Sequence, residues 1–367
     1  MNLHLLDFIR ENANWLELLQ NDPYNITVKD NGMYMLFSYN QISSDFSEPI
    51  VQECRGLILR KSDYKPVCVP FYKFFNVQEI HASWIDWNSA RVQEKIDGSI
   101  IKLWFDDEQW QVSTNGTIDA FEAKLAMEYI YKEKYPIKSF GDLFVMGLHE
   151  VGINWFKIEK DLNKNYTYIF EAVSPYNRIV VPYENVEIYH LGTRDLVTGL
   201  ELDVDLGIQK PHEFNLHSLD ECLEATKIMP FNEEGYVVVD KFWNRVKIKS
   251  PAYVVAHHLK NNGVITLDRI LDLIRTGEQA EFISYYPEWK NTIENLEEEI
   301  YLFLEVCINV WYGLSKEKFE TKKEFAEKAK LTICPPVMFA MYDGKADSID
   351  NWFWSQSNER ILKMLGK

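Results

Sequence analysis

Hydrophobic and polar positions change rhythm once along this chain, near residue 253. Before it, apolar residues fall in short runs rich in β-branched and aromatic side chains, which predict strands at Gly32–Tyr39, Cys54–Lys61, Pro66–Phe75, Arg91–Lys95, Ser99–Phe105 and Gln109–Ser113. Asp106-Asp107-Glu108 predicts a hairpin turn between the last two. Helical stretches are predicted over Phe121–Tyr135 and Phe140–Leu162. Strands resume at Tyr166–Val173, Ile179–Pro182 and Val186–Thr193, and a further hairpin joins Gly235–Asp240 to Arg245–Lys249. Strands and helices mixed without strict βαβ alternation predict an α+β fold with largely antiparallel sheets and flanking helices.

After Tyr253 the spacing turns helical. Leu267, Ile270, Leu271 and Ile274 recur at i, i+3, i+4, i+7, and Ile293, Leu296, Ile300, Phe303 and Cys307 mark a longer helix. Gly263, Gly277, Gly313 and Pro335-Pro336 punctuate the helices. The expected organisation is therefore an α+β domain over residues 1–253 and an all-helical C-terminal domain over residues 254–367. Met1–Gln20 has helical spacing with neither a basic leader nor an unbroken apolar core, so no signal peptide is expected. No apolar run reaches the roughly 20 residues of a membrane helix, and no membrane partner is expected.

Charge narrows the function classes. The 367 residues include 39 Lys+Arg and 56 Asp+Glu, a net charge of −17. That balance excludes a sequence-blind polyanion binder, whose affinity comes from neutralising phosphates. It leaves room for an enzyme that holds phosphates in one local basic site. The five cysteines form no C-x-x-C pair, so neither a disulfide framework nor a zinc site is expected, and a reducing, cytoplasmic setting fits.

Four sets of residues carry candidate chemistry. In Lys95-Ile96-Asp97-Gly98-Ser99 an amine at a strand end is followed by a turn that lets backbone approach a ligand, which suits nucleophilic catalysis. Glu233-Glu234-Gly235 leads into a strand that pairs with Val246-Lys247-Ile248-Lys249. Lys247 and Lys249, two apart, project to one face, where two ammonium groups can hold a phosphate and lower the pKa of a nearby lysine. Glu171, amid apolar strand residues in Phe170-Glu171-Ala172-Val173, needs a partner such as a ribose hydroxyl or a cation if buried. Arg55 in Glu53-Cys54-Arg55-Gly56 and Lys73 in Lys73-Phe74-Phe75-Asn76 can grip phosphates. Taken singly, each set also has an ordinary account: a polar turn, a solvated strand face, an edge carboxylate or surface cations.

Taken in order, the sets resemble the covalent nucleotidyltransferases, that is polynucleotide ligases and mRNA capping enzymes, with K-x-D-G as the nucleophile motif and F-E, E-G-Y/F-V and K-x-K following it. The chain more closely resembles the tRNA-repairing RNA ligase 1 family of T-even bacteriophages, through E-C-R-G, K-F-F-N, K-x-D-G-S, F-E-x-V-S-P-x-N-R-I-V, E-G-Y-V and K-I-K-S, across approximately residues 30–255. The resemblance implies a nucleotidyltransferase (adenylation) domain and an ATP-dependent RNA ligase. Lys95 would attack the α-phosphate of ATP to form lysine–AMP. The AMP would pass to an RNA 5′-phosphate, and a 3′-hydroxyl would then displace it. Lys247 and Lys249 would stabilise phosphate charge. Tyr39, Arg55, Lys73 and Glu171 would contact the nucleotide, and Gly98 would allow close backbone approach. Glu234 would act through Mg2+, with Mn2+ able to substitute. Tyr253 matches a family tyrosine. The implied partners are RNA with 5′-phosphate and 3′-hydroxyl ends, tRNA among them, and the helical domain fits the family's accessory domain as a candidate for RNA recognition or a structural cap. The implied setting is the cytoplasm, that of an infected host cell for a bacteriophage protein.

One position departs from the phage pattern: Ser113-Thr114-Asn115-Gly116-Thr117 has Asn115 where that family carries a lysine. A DNA ligase or capping guanylyltransferase is the alternative enzyme, disfavoured because those families append an OB-fold of short strands where this chain turns helical. A non-catalytic RNA-binding scaffold is disfavoured by the intact Lys95, Glu171, Glu234, Lys247 and Lys249. The sequence has no G-x-x-x-x-G-K-[ST] phosphate loop, so ends without a 5′-phosphate are expected to need a separate kinase and phosphatase. Residues 254–367 hold 14 basic and 18 acidic residues, net −4, leaving −13 on residues 1–253. The expectation is a narrow cationic cleft, with Arg178 among its cations, in an acidic body.

Overall fold

Alternation of apolar residues at every second position builds the sheets of the Met1–His257 unit. The computed structural model describes residues 1–155, 162–258, 266–285 and 287–367. In the first sheet β1 (Ile26–Asp30), β2 (Tyr34–Tyr39), β3 (Arg55–Arg60) and β4 (Pro66–Cys68) lie antiparallel in chain order. One face of it, with Met35, Phe37, Leu57 and Leu59, packs on helices His4–Glu11 and Pro49–Glu53. The other, with Leu36 and Ile58, packs on Trp104.

The second sheet comprises β5 (Phe75–Asn76), β6 (Arg91–Glu94), β14 (Glu213–Phe214), β15 (Gly235–Val239) and β16 (Arg245–Lys249), in the order β14-β6-β15-β16-β5. Among the described residues its β16–β5 pair is parallel and its other pairs are antiparallel. Helix Leu219–Lys227 buries Cys222 among Tyr236, Val238 and Ile248 on one face. The third sheet comprises β7 (Ser99–Asp106), β8 (Gln109–Thr114), β11 (Tyr166–Val173), β12 (Glu187–Asp195) and β13 (Glu201–Leu202), in the order β13-β12-β11-β7-β8. Helix Phe140–Glu150 lays Phe144 and Leu148 on its Ile101, Phe170 and Ile188. Residues 95–98 link β6 of the second sheet to β7 of the third.

The α+β class and antiparallel sheets follow the sequence pattern, and the predicted 106–108 hairpin is present, with Asp107 and Glu108 at φ of 46° and 58°. Other expectations fail for identifiable reasons. Instead of a helix over 121–135 there is a hairpin of β9 (Lys124–Tyr131) and β10 (Tyr135–Ser139). Leu125, Tyr129 and Tyr131 repeat with even spacing on one face, Tyr129 stacks on Tyr176 at 4.3 Å, and Lys132 and Glu133 turn the chain at φ of 50° and 55°. The helix from Phe140 ends at Glu150, before Gly152 at φ 76°, and residues 156–161 of that predicted helix lie outside the described residues. Residues 179–182 are not a strand, because the Val180 and Val181 N–H groups both go to the Asp97 carboxylate. The run 66–75 splits into β4 and β5.

Within this unit Glu201 receives Arg194 at 2.8 Å and Arg245 at 2.6 Å, all three side chains at most 8% exposed. The Arg245 guanidinium also lies 4.2 Å over Phe71, and Arg194 4.6 Å over Tyr72.

In the His258–Lys367 unit the regular structure of the described residues is helical, with Lys290–Ser315 the longest element. Thr266, Thr321, Ser348 and Ser357 each accept the N–H three residues on, capping a helix start, and Gly277 at φ 69° ends the first helix. Phe325 stacks on Tyr342 at 3.9 Å in its core. No helix among the described residues is long and apolar enough to cross a membrane.

Glu201→Ala should lower unfolding free energy by roughly 3–5 kcal/mol in urea titration, because it strands two buried guanidinium groups. A loss below about 1 kcal/mol, the range of an exposed pair, would contradict the buried cluster.

Candidate active site

The turn after β6 brings the candidate residues together. Lys95 N–H donates to the Gly235 carbonyl at 2.9 Å, and its Nζ lies 2.8 Å from Glu234 Oε1. The Lys95 side chain is 21% exposed and Glu234 only 5%, so a reachable amine stands over a buried carboxylate. Asp97 fixes this turn. Its buried carboxylate accepts from Val180 N–H at 2.9 Å, Val181 N–H at 2.8 Å and the Tyr253 hydroxyl at 2.8 Å, and its own N–H donates to the Tyr183 hydroxyl oxygen at 3.3 Å. Tyr253 is thus a buried tether to the Lys95 turn. Gly98 is required by the protein itself, since a Cβ there would lie 2.5 Å from the Ala172 carbonyl oxygen.

Across the site β15 begins at Gly235, whose φ of 133° and a would-be Cβ contact of 2.1 Å with the Ile248 carbonyl exclude any other residue. In register Gly235 faces Lys249 and Val237 faces Lys247. Val246 and Ile248 point into the core, leaving Lys247 and Lys249 on the other face, as the spacing predicts. Burial raises the pKa of Glu234, against the pull of Lys95 and Lys249, and its Oε2 is buried without a hydrogen-bond partner. Glu171 on β11 is pushed up to about 8 by burial, with Lys95 and Arg55 opposing the rise and Glu234 and Asp97 adding to it. At neutral pH its carboxyl is mostly protonated, able to donate as well as accept.

Three cations approach over aromatic rings. Arg55, at the start of β3, places its guanidinium 5.0 Å from the Phe74 ring centre, and Lys247 Nζ lies 6.0 Å from the same centre. Lys73 Nζ sits among Phe46 at 4.8 Å, Tyr39 at 5.2 Å and Phe75 at 5.5 Å, and donates to Gln41 Oε1 at 3.1 Å. Tyr39 therefore touches the amine of Lys73. Arg178 is exposed and donates from Nε to the Val180 carbonyl at 3.0 Å on its own loop. Asn115 hands its carbonyl to the Ser38 hydroxyl at 2.8 Å.

No group of three or more His, Cys, Asp or Glu suited to a metal exists among the described residues. The unpartnered Glu234 Oε2 fits one carboxylate ligand to a divalent cation whose other ligands are phosphates and water, the usual habit of Mg2+. Sequence reasoning quoted Asp97 without giving it a task. It missed Lys102, a fully buried lysine of β7, for which an alternating strand offers no signal.

Comparison with known proteins gives the family of this chain. A model of the RNA ligase family matches residues 53–253. A protein of Autographa californica nuclear polyhedrosis virus, named as a bifunctional polynucleotide kinase/RNA ligase, is 29% identical over 74% of this chain, which spans 40% of that protein's length. An RNA ligase of Rhodothermus phage RM378 is 26% identical over 93% of this chain and 92% of its own. A solved archaeal ATP-dependent RNA ligase superposes with a TM-score of 0.46 at 14% identity, covering 90% of this chain and 89% of that one.

A buried acid with a raised pKa gives stability that is complete below its unfolded value and lost as pH rises toward the folded one. The advantage of Glu171→Gln over the parent in thermal midpoint should therefore grow between pH 5 and pH 8, by roughly several °C. A midpoint difference that does not vary with pH across that window would show that Glu171 is ionised in the fold.

Proposed function

Because the chain belongs to the RNA ligase family, we propose that it is an ATP-dependent enzyme that seals RNA 5′-phosphate to 3′-hydroxyl ends through lysine–AMP, tRNA breaks among them. The observation that carries this reading is the Lys95 amine at 2.8 Å from the buried Glu234 carboxylate, with Lys249 acting on the same carboxylate.

In the first step Lys95 Nζ, as a neutral amine, attacks the α-phosphorus of ATP. A P–N bond forms, the bond to pyrophosphate breaks, and the amine sheds its proton, for which Glu234 Oε1 is within reach. In the second, an oxygen of the RNA 5′-phosphate attacks that phosphorus and lysine leaves. In the third, the 3′-hydroxyl attacks the RNA phosphorus and AMP departs. Lys247, Lys249 and Arg55 meet the charge that builds on phosphate oxygens at each step. Lys73 adds a further cation against the phosphates. Tyr39 lines the nucleotide side, and Glu171 meets a ribose hydroxyl as donor and acceptor. A divalent cation, Mg2+ or Mn2+, would neutralise phosphate charge and orient the pyrophosphate when bound at Glu234.

These residues all lie within residues 1–253, so that part is assigned to adenylyl transfer and residues 254–367 to recognition of the RNA. Ends with a 5′-hydroxyl would first need a kinase, an activity for which residues 1–367 carry no phosphate-loop motif, and ends with a 3′-phosphate a phosphatase.

Incubation with α-labelled ATP and Mg2+ should label the protein, and a 5′-phosphorylated RNA oligomer should then circularise. Lys95→Ala should take no label, and Lys247→Ala should slow labelling by about 100-fold or more. Label on Lys95→Ala would remove Lys95 from the mechanism.

A further inference from the structure

One cation beside the site has no part in these steps. Lys102 is fully buried on β7, between Ile101 and Leu103. Its Nζ donates to the Gly56 carbonyl at 2.7 Å. Burial pulls its pKa down to about 8, with Cys68 opposing the fall and Arg55 adding to it. An ammonium in a dry interior that forms no ion pair among the described residues weakens a fold, and an apolar side chain of similar length would be the more stable occupant. Packing therefore does not account for this lysine.

What Lys102 holds is a β-bulge. In the β2–β3 ladder Phe37 faces Leu57 and Ser38 faces Arg55, so Gly56 is the additional residue. Gly56 has φ 82°, and a Cβ there would lie 2.5 Å from Lys102 Nζ and 2.7 Å from Asn115 Cα. The Asn115 carbonyl accepts from Ser38 Oγ at 2.8 Å, so β7 and the end of β8 close on the bulge while β2 is tied to the same point. A bulge re-aims the side chains next to it, and the neighbour here is Arg55, stacked on Phe74 beside Lys247.

We propose that Lys102 is a positioning residue for nucleotide binding: its ammonium, fastened to the Gly56 carbonyl, fixes the bulge that aims Arg55 over Phe74 toward the Lys247 face of β16. The inference rests on the assignment of Arg55 to the phosphates of ATP. With no exposed surface, Lys102 acts through Arg55 and does not touch the nucleotide.

A double-mutant cycle on the full chain tests this, with initial rates of labelling by α-labelled ATP as readout. Lys102→Met keeps side-chain length and removes both charge and donor. It should raise the KM for ATP by about tenfold while the rate at saturating ATP changes by less than about threefold, a loss in binding and not in chemistry. Its thermal midpoint should equal or exceed that of the parent at pH 7. Arg55→Ala should raise KM at least as far, and the double variant should lie within about twofold of Arg55→Ala, because the lysine has nothing left to aim. An unchanged KM in Lys102→Met, or losses that multiply in the double variant, would overturn the proposal. If Lys102→Met does not melt cooperatively, Lys102→Gln takes its place and the same coupling decides. A parent that labels while the cycle is additive refutes Lys102 alone; a parent that takes no label refutes the ligase reading with it.

Discussion

Two backbone N–H groups and a tyrosine hydroxyl converge on the carboxylate of Asp97, two residues from the lysine that would carry the chemistry. Such an acceptor deep in a protein is stable only while its donors stay in place, and the donors come from two separate stretches of chain. Val180 and Val181 belong to the loop after β11, and Tyr253 to the segment after β16. One buried carboxylate thereby fixes the Lys95 turn against the strand bearing Glu171 and the strand bearing Lys247 and Lys249. A nucleophile needs such fixation, because its efficiency depends on alignment with the atom it attacks.

The same demand explains where the sequence was legible. Short local motifs carry information, so Lys95, Glu171, Glu234, Lys247 and Lys249 could be named from the ordered motifs of the resemblance, and Lys95, Glu171, Glu234 and Lys249 stand within electrostatic reach of one another. The Lys247/Lys249 face was readable from period two alone. What long-range contacts decide was not readable. Residues 179–182 look like a strand, yet their N–H groups serve Asp97 instead of a ladder. Residues 121–135 read as a helix in the sequence, yet the Tyr129–Tyr176 stack with a tight turn makes them a hairpin. Lys102 sits where alternation alone gives no sign that a lysine is buried.

Net charge takes on a sharper meaning beside this geometry. Residues 1–253 carry most of the acidic excess, and of the cations at the candidate site Arg55, Lys73 and Lys247 lie over aromatic rings while Lys249 is buried. Cations so placed interact strongly with a phosphate that enters and weakly with one passing at the surface, because solvent screening is lower inside.

The central claim is that Lys95 carries AMP. Peptide mapping by mass spectrometry of the protein after incubation with ATP and Mg2+, without RNA, tests it most directly. The account predicts a single AMP adduct, on the peptide containing Lys95 and at that residue. An adduct on another lysine, such as Lys247 or Lys102, or none in protein that still seals RNA, would contradict it.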